Sequence, residues 1–424
     1  MSWGGRGLCV RRLGGDRAGE IRLTRFLRNK AVKVDEMVAE ASARTAARCA
    51  GRHVLAIQDT TLVRADQQRG AGLFLHAVLA VDADEGVVLG LAHAQFLTHK
   101  PILDVAATKA KMRVTPFEDK ESFRWLKGAR AAGLAGAEAQ RVTMIADRES
   151  DVFELFAQRP QTVDLLVRAK HDRALGDGGR MFAHIDAQPE AGRASIMLAA
   201  QPGRAARTVR LAVRHLQVEP VRPGAGGCGK ARPGGVRLNL VDVREVDTPQ
   251  GQSPVHWRLL TTLPVRDAAE ALAVAGLYRR RWAIEQLFRT LKTQGFDIER
   301  LPFADDAPRE RLVMAALIAA VTIQQLVHAR DGVQGPSPLR PLTDAFDETD
   351  RPLLKAFTAE LEGKTARQKN PHPEGSLAYA AWVCARLGGW TGYYGKPGPI
   401  VMLEGWIHFQ AAKHGARLAQ PQDV

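Results

Sequence analysis

The spacing of apolar and polar positions divides the chain into stretches of different character. Residues 1–45 are Arg-rich and irregular at first, then weakly helical over 23–39. From Gly51 the pattern changes to strands. Residues 54–59 (VLAIQD) form a short apolar run that ends in a carboxylate, and 73–81 and 87–96 are two further apolar runs. The polar turn 82–86 (DADEG) between them predicts a hairpin, with Gly86 where a positive φ is needed. Residues 121–135 have helical periodicity through Phe123, Leu126 and Ala129. Residues 142–147 (VTMIAD) read as another strand ending in a carboxylate, followed by a helix from Ser150 to Phe156 with Ser150 or Asp151 as its cap, then a fifth strand over 162–168. In 169–256, Val209, Leu211 and Val213 alternate with Arg210, Ala212 and Arg214, and 236–243 repeats the alternation. The Gly/Pro-rich stretch 223–235 between them marks a loop. A strand over 257–263 precedes one long helix over 268–294. The remainder is mostly helical, with a Gly/Pro-rich stretch at 388–399 and a last helix near 406–418.

This order of elements predicts an α/β protein: an RNase H-like core with a β-rich insertion and a mostly helical C-terminal domain. The expected divisions are a short N-terminal segment (1–45), a core made of 46–168 and 257–302, an insertion (169–256) and a C-terminal region (303–424). With 424 residues, two to three domains are expected. The apolar content of 45% excludes a wholly disordered chain. The longest apolar run, 312–323, falls short of the roughly 20 residues that span a bilayer, so it predicts a buried helix rather than a membrane partner. The first residues lack the apolar core of a secretory signal, which makes the cytoplasm the expected compartment. The net charge of +14 favours polyanionic partners, nucleic acid or an anionic membrane face, although Arg richness also follows from GC-rich codon usage. The four cysteines form no CxxC pair, which argues against a disulfide framework and a thiolate zinc site.

The predicted long helix carries the sharpest chemistry. At about 100° per residue, Tyr278, Arg281, Glu285, Arg289 and Lys292 fall within a stripe about 80° wide, opposite Ala283, Ile284, Leu287 and Leu291. A solvated amphipathic face gives the same pattern, with Arg281–Glu285 and Glu285–Arg289 as ordinary i,i+4 pairs. The strand-end aspartates make a second reading possible. Two aspartates and one helical glutamate are the minimum oxygen-donor set for two-metal phosphoryl transfer, and neighbouring Arg and Lys would hold phosphates. Asp59 and Asp147 can equally be turn or capping aspartates.

The spacing Tyr-x2-Arg-x3-Glu-x6-Lys, as Tyr278, Arg281, Glu285 and Lys292, resembles the YREK signature of DDE transposases, and in particular the insertion-sequence-4 family with its transposon-5 type members. Residues 57–61 (IQDTT) are similar to that family's first-aspartate strand, 146–151 (ADRESD) to its second-aspartate segment, and 121–125 (ESFRW) to a segment between them. Residues 387–390 (LGGW) and 405–406 (GW) resemble its C-terminal region more loosely. The likeness extends over about 25–418.

The resemblance implies an Mg²⁺-dependent polynucleotidyl transferase of RNase H-like fold. Asp59, Asp147 and Glu285 would hold two Mg²⁺ ions, with Mn²⁺ able to substitute. The implied reaction is a nick at the element's end, a hairpin, hairpin opening and strand transfer. The implied partners are double-stranded DNA, as terminal repeats and target, and a second copy in a homodimer on DNA through the C-terminal region. Tyr278, Arg281, Arg289 and Lys292 would contact the end's backbone, Arg289 standing where a well-known member has Lys. Trp257 stands where the family places a tryptophan that stacks on a flipped base; a core tryptophan on a strand is the alternative. Glu149 and Asp151 are expected to support rather than ligate, and His76 to be a satisfied core residue. The short stretch before Asp59 resembles a remnant of an end-binding region, which leaves a truncated inhibitor pairing with full-length transposase as the second reading. No phosphate-loop motif points to an ATP-driven helper.

Overall fold

The computed structural model describes residues 10–64, 72–97, 115–198, 206–222, 234–300, 306–332 and 339–419. The loop expected at 223–235 lies almost wholly outside them. The chain divides into two compact units, one of residues 1–50, 60–99 and 283–424, the other of 51–59 and 100–282.

The first unit begins with helices α1 (Val10–Gly14), α2 (Arg17–Arg28) and α3 (Val34–Cys49). Asp16 caps α2 by accepting from the Gly19 N–H at 2.6 Å. Strand β1 (His53–Arg64) contributes its C-terminal half here, beside the antiparallel hairpin of β2 (Gly72–Asp82) and β3 (Val88–Leu97), in the order β3-β2-β1. The predicted hairpin is present. Gly86 has φ 72°, and Asp82 Oδ1 accepts from the Asp84 and Glu85 N–H groups to close the turn.

The second unit holds the N-terminal half of β1, α4 (Phe123–Ala135), β4 (Arg141–Ala146), α5 (Phe153–Gln158), β5 (Val163–Arg168), α6 (Met181–Asp186), β6 (Gly192–Leu198), β7 (Arg207–Val218), β8 (Leu238–Val246), β9 (His256–Thr261) and α7 (Ala268–Arg279). Its strands run β1-β4-β5-β9-β8-β7-β6, parallel from β1 to β5 and antiparallel beyond. The β1, β4 and β5 cores are buried apolar runs, as a sheet covered on both faces requires. The segment expected as an insertion therefore adds β6, β7 and β8 to the same sheet through β9. Helix α4 packs so closely that a Cβ on Gly128 would stand 2.3 Å from Gln58 Oε1.

The first unit resumes with α8 (Trp282–Lys292), whose first residue still belongs to the second unit, followed by α9 (Asp306–Ala329), α10 (Arg351–Leu361), α11 (Leu377–Leu387) and α12 (Pro399–Ala419). Helix α9 packs on β3, α3, α11 and α12. Among the described residues it alone is long and apolar enough to cross a membrane, but 67% of its apolar window is buried inside the protein. Gln325 donates to the Leu89 carbonyl and Gln324 to Thr290 Oγ1, both within the unit.

Three expectations need correction. Asp59 lies inside β1, not at its end, because the strand continues through Arg64. Asp151 caps no helix: a 3₁₀ turn over Arg148–Ser150 precedes α5, whose N-cap is Val152. The single helix over 268–294 is two. The N–H groups of Arg280 and Arg281 bond three residues back, to Leu277 and Tyr278, and this tightened turn separates α7 from α8. The five stripe residues are therefore divided between two helices and the turn joining them: Tyr278 on α7, Arg281 in the turn, and Glu285, Arg289 and Lys292 on α8.

Candidate active site

Register brings the two aspartates together. The pairs Ile57↔Ile145 and Ile145↔Leu166 fix β1, β4 and β5 in phase. Two residues further along each chain come Asp59, within β1, Asp147, one residue past the end of β4, and Arg168, the last residue of β5. Neighbouring strands are about 4.8 Å apart, so the two carboxylates start side by side. Leu259, paired with Arg168, continues the row into β9, and Trp257 lies two residues beyond it on the same face. The site thus sits at the carboxyl ends of β4 and β5, where open α/β sheets place ligands.

Asp59 Oδ2 accepts from Arg281 Nη1 at 3.3 Å, with the side chains only 21% and 16% exposed. Asp147 Oδ1 accepts from the Glu149 N–H at 2.9 Å, which caps the 3₁₀ turn. The next residues are held by their own partners. Glu149 bonds Arg124 Nη2 at 3.0 Å, and Asp151 is buried, receiving Lys170 N–H, His171 N–H and the Arg173 guanidinium. These contacts tie both residues to neighbouring elements. The ESFRW segment contributes Arg124 to this support, tying α4 to the turn after β4.

Tyr278, at the end of α7, is buried with its ring edge-on to Trp257, centroids 5.6 Å apart. The break after α7 lets Arg281 reach Asp59 while Tyr278 stays in the core. Burial raises the Tyr278 phenol above its ordinary value, with Arg281 and Arg168 pulling it back. Burial also lowers Arg168, the Tyr278 hydroxyl opposing the shift, and Arg168 Nη2 donates to the His256 carbonyl at 2.8 Å. Arg168 is not legible in the sequence as a site residue. It follows an ordinary buried strand, and only the level alignment of β4 and β5 brings it beside Asp147. Trp257 is half-buried on β9 rather than sealed in the core.

The other predicted residues lie on α8 in the first unit. Its Ile284, Leu287, Phe288 and Leu291 are buried, Glu285 and Lys292 are half-buried, and Arg289 is exposed. Lys292 Nζ donates to the Leu62 carbonyl and pairs with Glu299 at 3.4 Å. His76 is buried and hydrogen-bonded to Thr60 Oγ1 at 2.9 Å, a satisfied core histidine as expected.

Asp59 and Asp147 fit a hard divalent cation in donor chemistry, being oxygen-only, adjacent and partly exposed. Among the described residues no three His, Cys, Asp or Glu side chains are gathered into one metal-binding group. A family model described as the transposase DDE domain matches residues 51–322, well over half of the chain.

Proposed function

The chain belongs to this DDE transposase family, and from that premise we propose that it is a metal-dependent transposase of the insertion-sequence-4 type with an RNase H-like core, cutting element ends and joining them to target DNA. The observation that carries the reading is the pairing of Ile57 with Ile145 on adjacent parallel strands, two residues before Asp59 and Asp147, within the matched region. Glu285 would complete the ligand set from α8. These three carboxylates would hold a pair of Mg²⁺ ions, or Mn²⁺ in their place, which would supply Lewis-acid activation of the attacking oxygen and stabilisation of the leaving one.

The chain's own residues have definable work. Asp59 and Asp147 supply adjacent anionic oxygens. Arg281 neutralises Asp59 and is positioned to turn its fork toward a phosphate when a cation takes over the carboxylate. Tyr278 stays protonated and so remains a hydrogen-bond donor, because burial holds its phenol up. The exposed Arg289 and the half-buried Lys292 would hold the backbone of the element's end. Trp257 would offer its half-exposed ring to a flipped base, offsetting part of the unstacking cost of hairpin formation. A homodimer through the C-terminal helices would hold two DNA ends. This chemistry would take place in the bacterial cytoplasm, at the nucleoid.

The deciding experiment incubates purified protein and Mg²⁺ with labelled DNA carrying the sequences that flank its own gene. A nick leaving a 3′-OH, then a hairpin, is expected from wild type and absent from Glu285→Ala, with DNA binding retained. Cleavage by Glu285→Ala would sink the ligand assignment. A folded wild type that binds DNA and never cuts would sink the reading as an active enzyme.

A further inference from the structure

The helical C-terminal part of the first unit carries a built surface that the proposed chemistry leaves unused. Two exposed segments are clamped together. One runs from 362 to 369, after α10, and the other from 389 to 396, between α11 and α12. Thr365 Oγ1 and the Tyr393 hydroxyl share a 2.9 Å hydrogen bond, and a Cβ on Gly392 would stand 2.7 Å from the Arg367 carbonyl. The first segment is fixed by a capping box between Thr365 and Gln368. The second is closed by Trp390 Nε1 donating to the Gly395 carbonyl at 3.0 Å. Gly389, Gly392 and Gly395, all at positive φ, permit its tight path.

This scaffold presents three cations and an aromatic ring. Lys364, Arg367 and Lys369 are exposed, and among the described residues none forms an ion pair. Three nearby acids have partners of their own: Glu362 accepts from the Asn370 N–H, Glu374 pairs with Lys355, and Asp331 pairs with Lys396. Tyr394 is 84% exposed, which costs a large ring its burial and serves nothing inside the fold. Unneutralised cations beside an exposed ring on a rigid support are what a nucleic-acid strand recognises, phosphates on the charges and a base on the ring.

We propose that this surface is a second DNA-binding site, separate from the candidate active site, in which Lys364, Arg367 and Lys369 hold backbone phosphates and Tyr394 stacks on an unpaired base. The proposal rests on the reading that the protein acts on DNA, but not on the identity of its catalytic residues. The test uses the full chain and a labelled oligonucleotide of arbitrary sequence, as single strand and as duplex, titrated over a range of salt.

For the Lys364→Ala/Arg367→Ala/Lys369→Ala variant, the slope of log affinity against log salt should fall by about 2–3, close to one for each phosphate that is no longer neutralised. Tyr394→Ala should weaken the single strand about 5- to 100-fold and leave the duplex nearly unchanged. Cleavage at saturating DNA should stay at the wild-type rate in both variants. Unchanged slopes and affinities in folded variants would overturn the proposal while leaving the transposase reading intact. Altered sedimentation with unchanged slopes would also overturn it, and would reassign the patch to a second copy of the chain. A wild type that binds neither DNA form would defeat both readings together.

Discussion

Strand β9 separates two charged environments built from the same residue types. On one face, Trp257 belongs to the row that includes Arg168, Asp147 and Asp59. On the other, its neighbours His256 and Arg258 both bond Asp242 of β8, at 2.8 and 3.3 Å. Arg244 also bonds Asp242 at 2.6 Å, and Asp186 of α6 bridges Arg244 and Arg258. Arg258 lies 4.2 Å over the Phe182 ring. The Asp242 side chain is 0% exposed and its oxygens are filled by cations, whereas that of Asp59 is 21% exposed and pairs with Arg281. Charge alone does not mark a functional carboxylate. The back-face cluster is saturated, so it holds strands and helix together and has no capacity left for a ligand. The front-face pair retains accessible oxygen, so a cation or a phosphate can compete for its partners.

The comparison can be broken by substitution. Asp147→Ala should lower DNA cleavage by at least about 10³-fold, the scale on which a preorganised charge-stabilising group acts. It should cost only about 1 kcal/mol of stability, the value of a missing cap. Cleavage kinetics beside denaturant melts would check both, and near-normal cleavage would remove Asp147 from the site. Asp242→Ala should do the reverse. We expect a loss of about 3 kcal/mol, the low end for an uncompensated buried charge because its cationic partners are partly exposed. Urea midpoints measure it, and a loss under about 1 kcal/mol would mean that the back face is not a structural lock.

Trp257→Ala should slow hairpin formation about 10-fold more than first-strand nicking, as expected when one base-stacking platform is removed. Equal slowing in a gel-resolved time course would return Trp257 to a packing role against Tyr278. The smallest effect concerns Tyr278→Phe, which keeps the ring against Trp257 and removes the hydroxyl. Because the folded phenol is raised above 10.0, its stabilisation is full below that value and is lost as pH rises through the folded value. The wild-type margin over Tyr278→Phe, about 1 kcal/mol, should therefore hold at about pH 9 and shrink above about pH 10. A constant margin across that window would contradict a protonated, buried phenol.

Sequence periodicity alone located most strands and helices, because alternating or helical burial leaves its period in the residue types. The hairpin at 82–86, the buried helix around 312–323 and the satisfied His76 were legible in that way. So were the candidate aspartates, whose type and place at the end of apolar runs in the sequence are local facts. Other features were settled only by pairing between distant segments. The placing of Asp59, Asp147 and Arg168 near one another depends on register across three strands, which no single strand encodes. The membership of β6, β7 and β8 in one sheet depends on β9 pairing both β5 and β8. The break at Arg280–Arg281 replaces a smooth helical stripe that periodicity favours. Three-residue hydrogen bonds and the pull of Asp59 on Arg281 outweigh the weak local preference for continuing one helix. Local sequence thus determined which residues could do chemistry here, and long-range hydrogen bonding and burial decided which of them stand together and remain accessible.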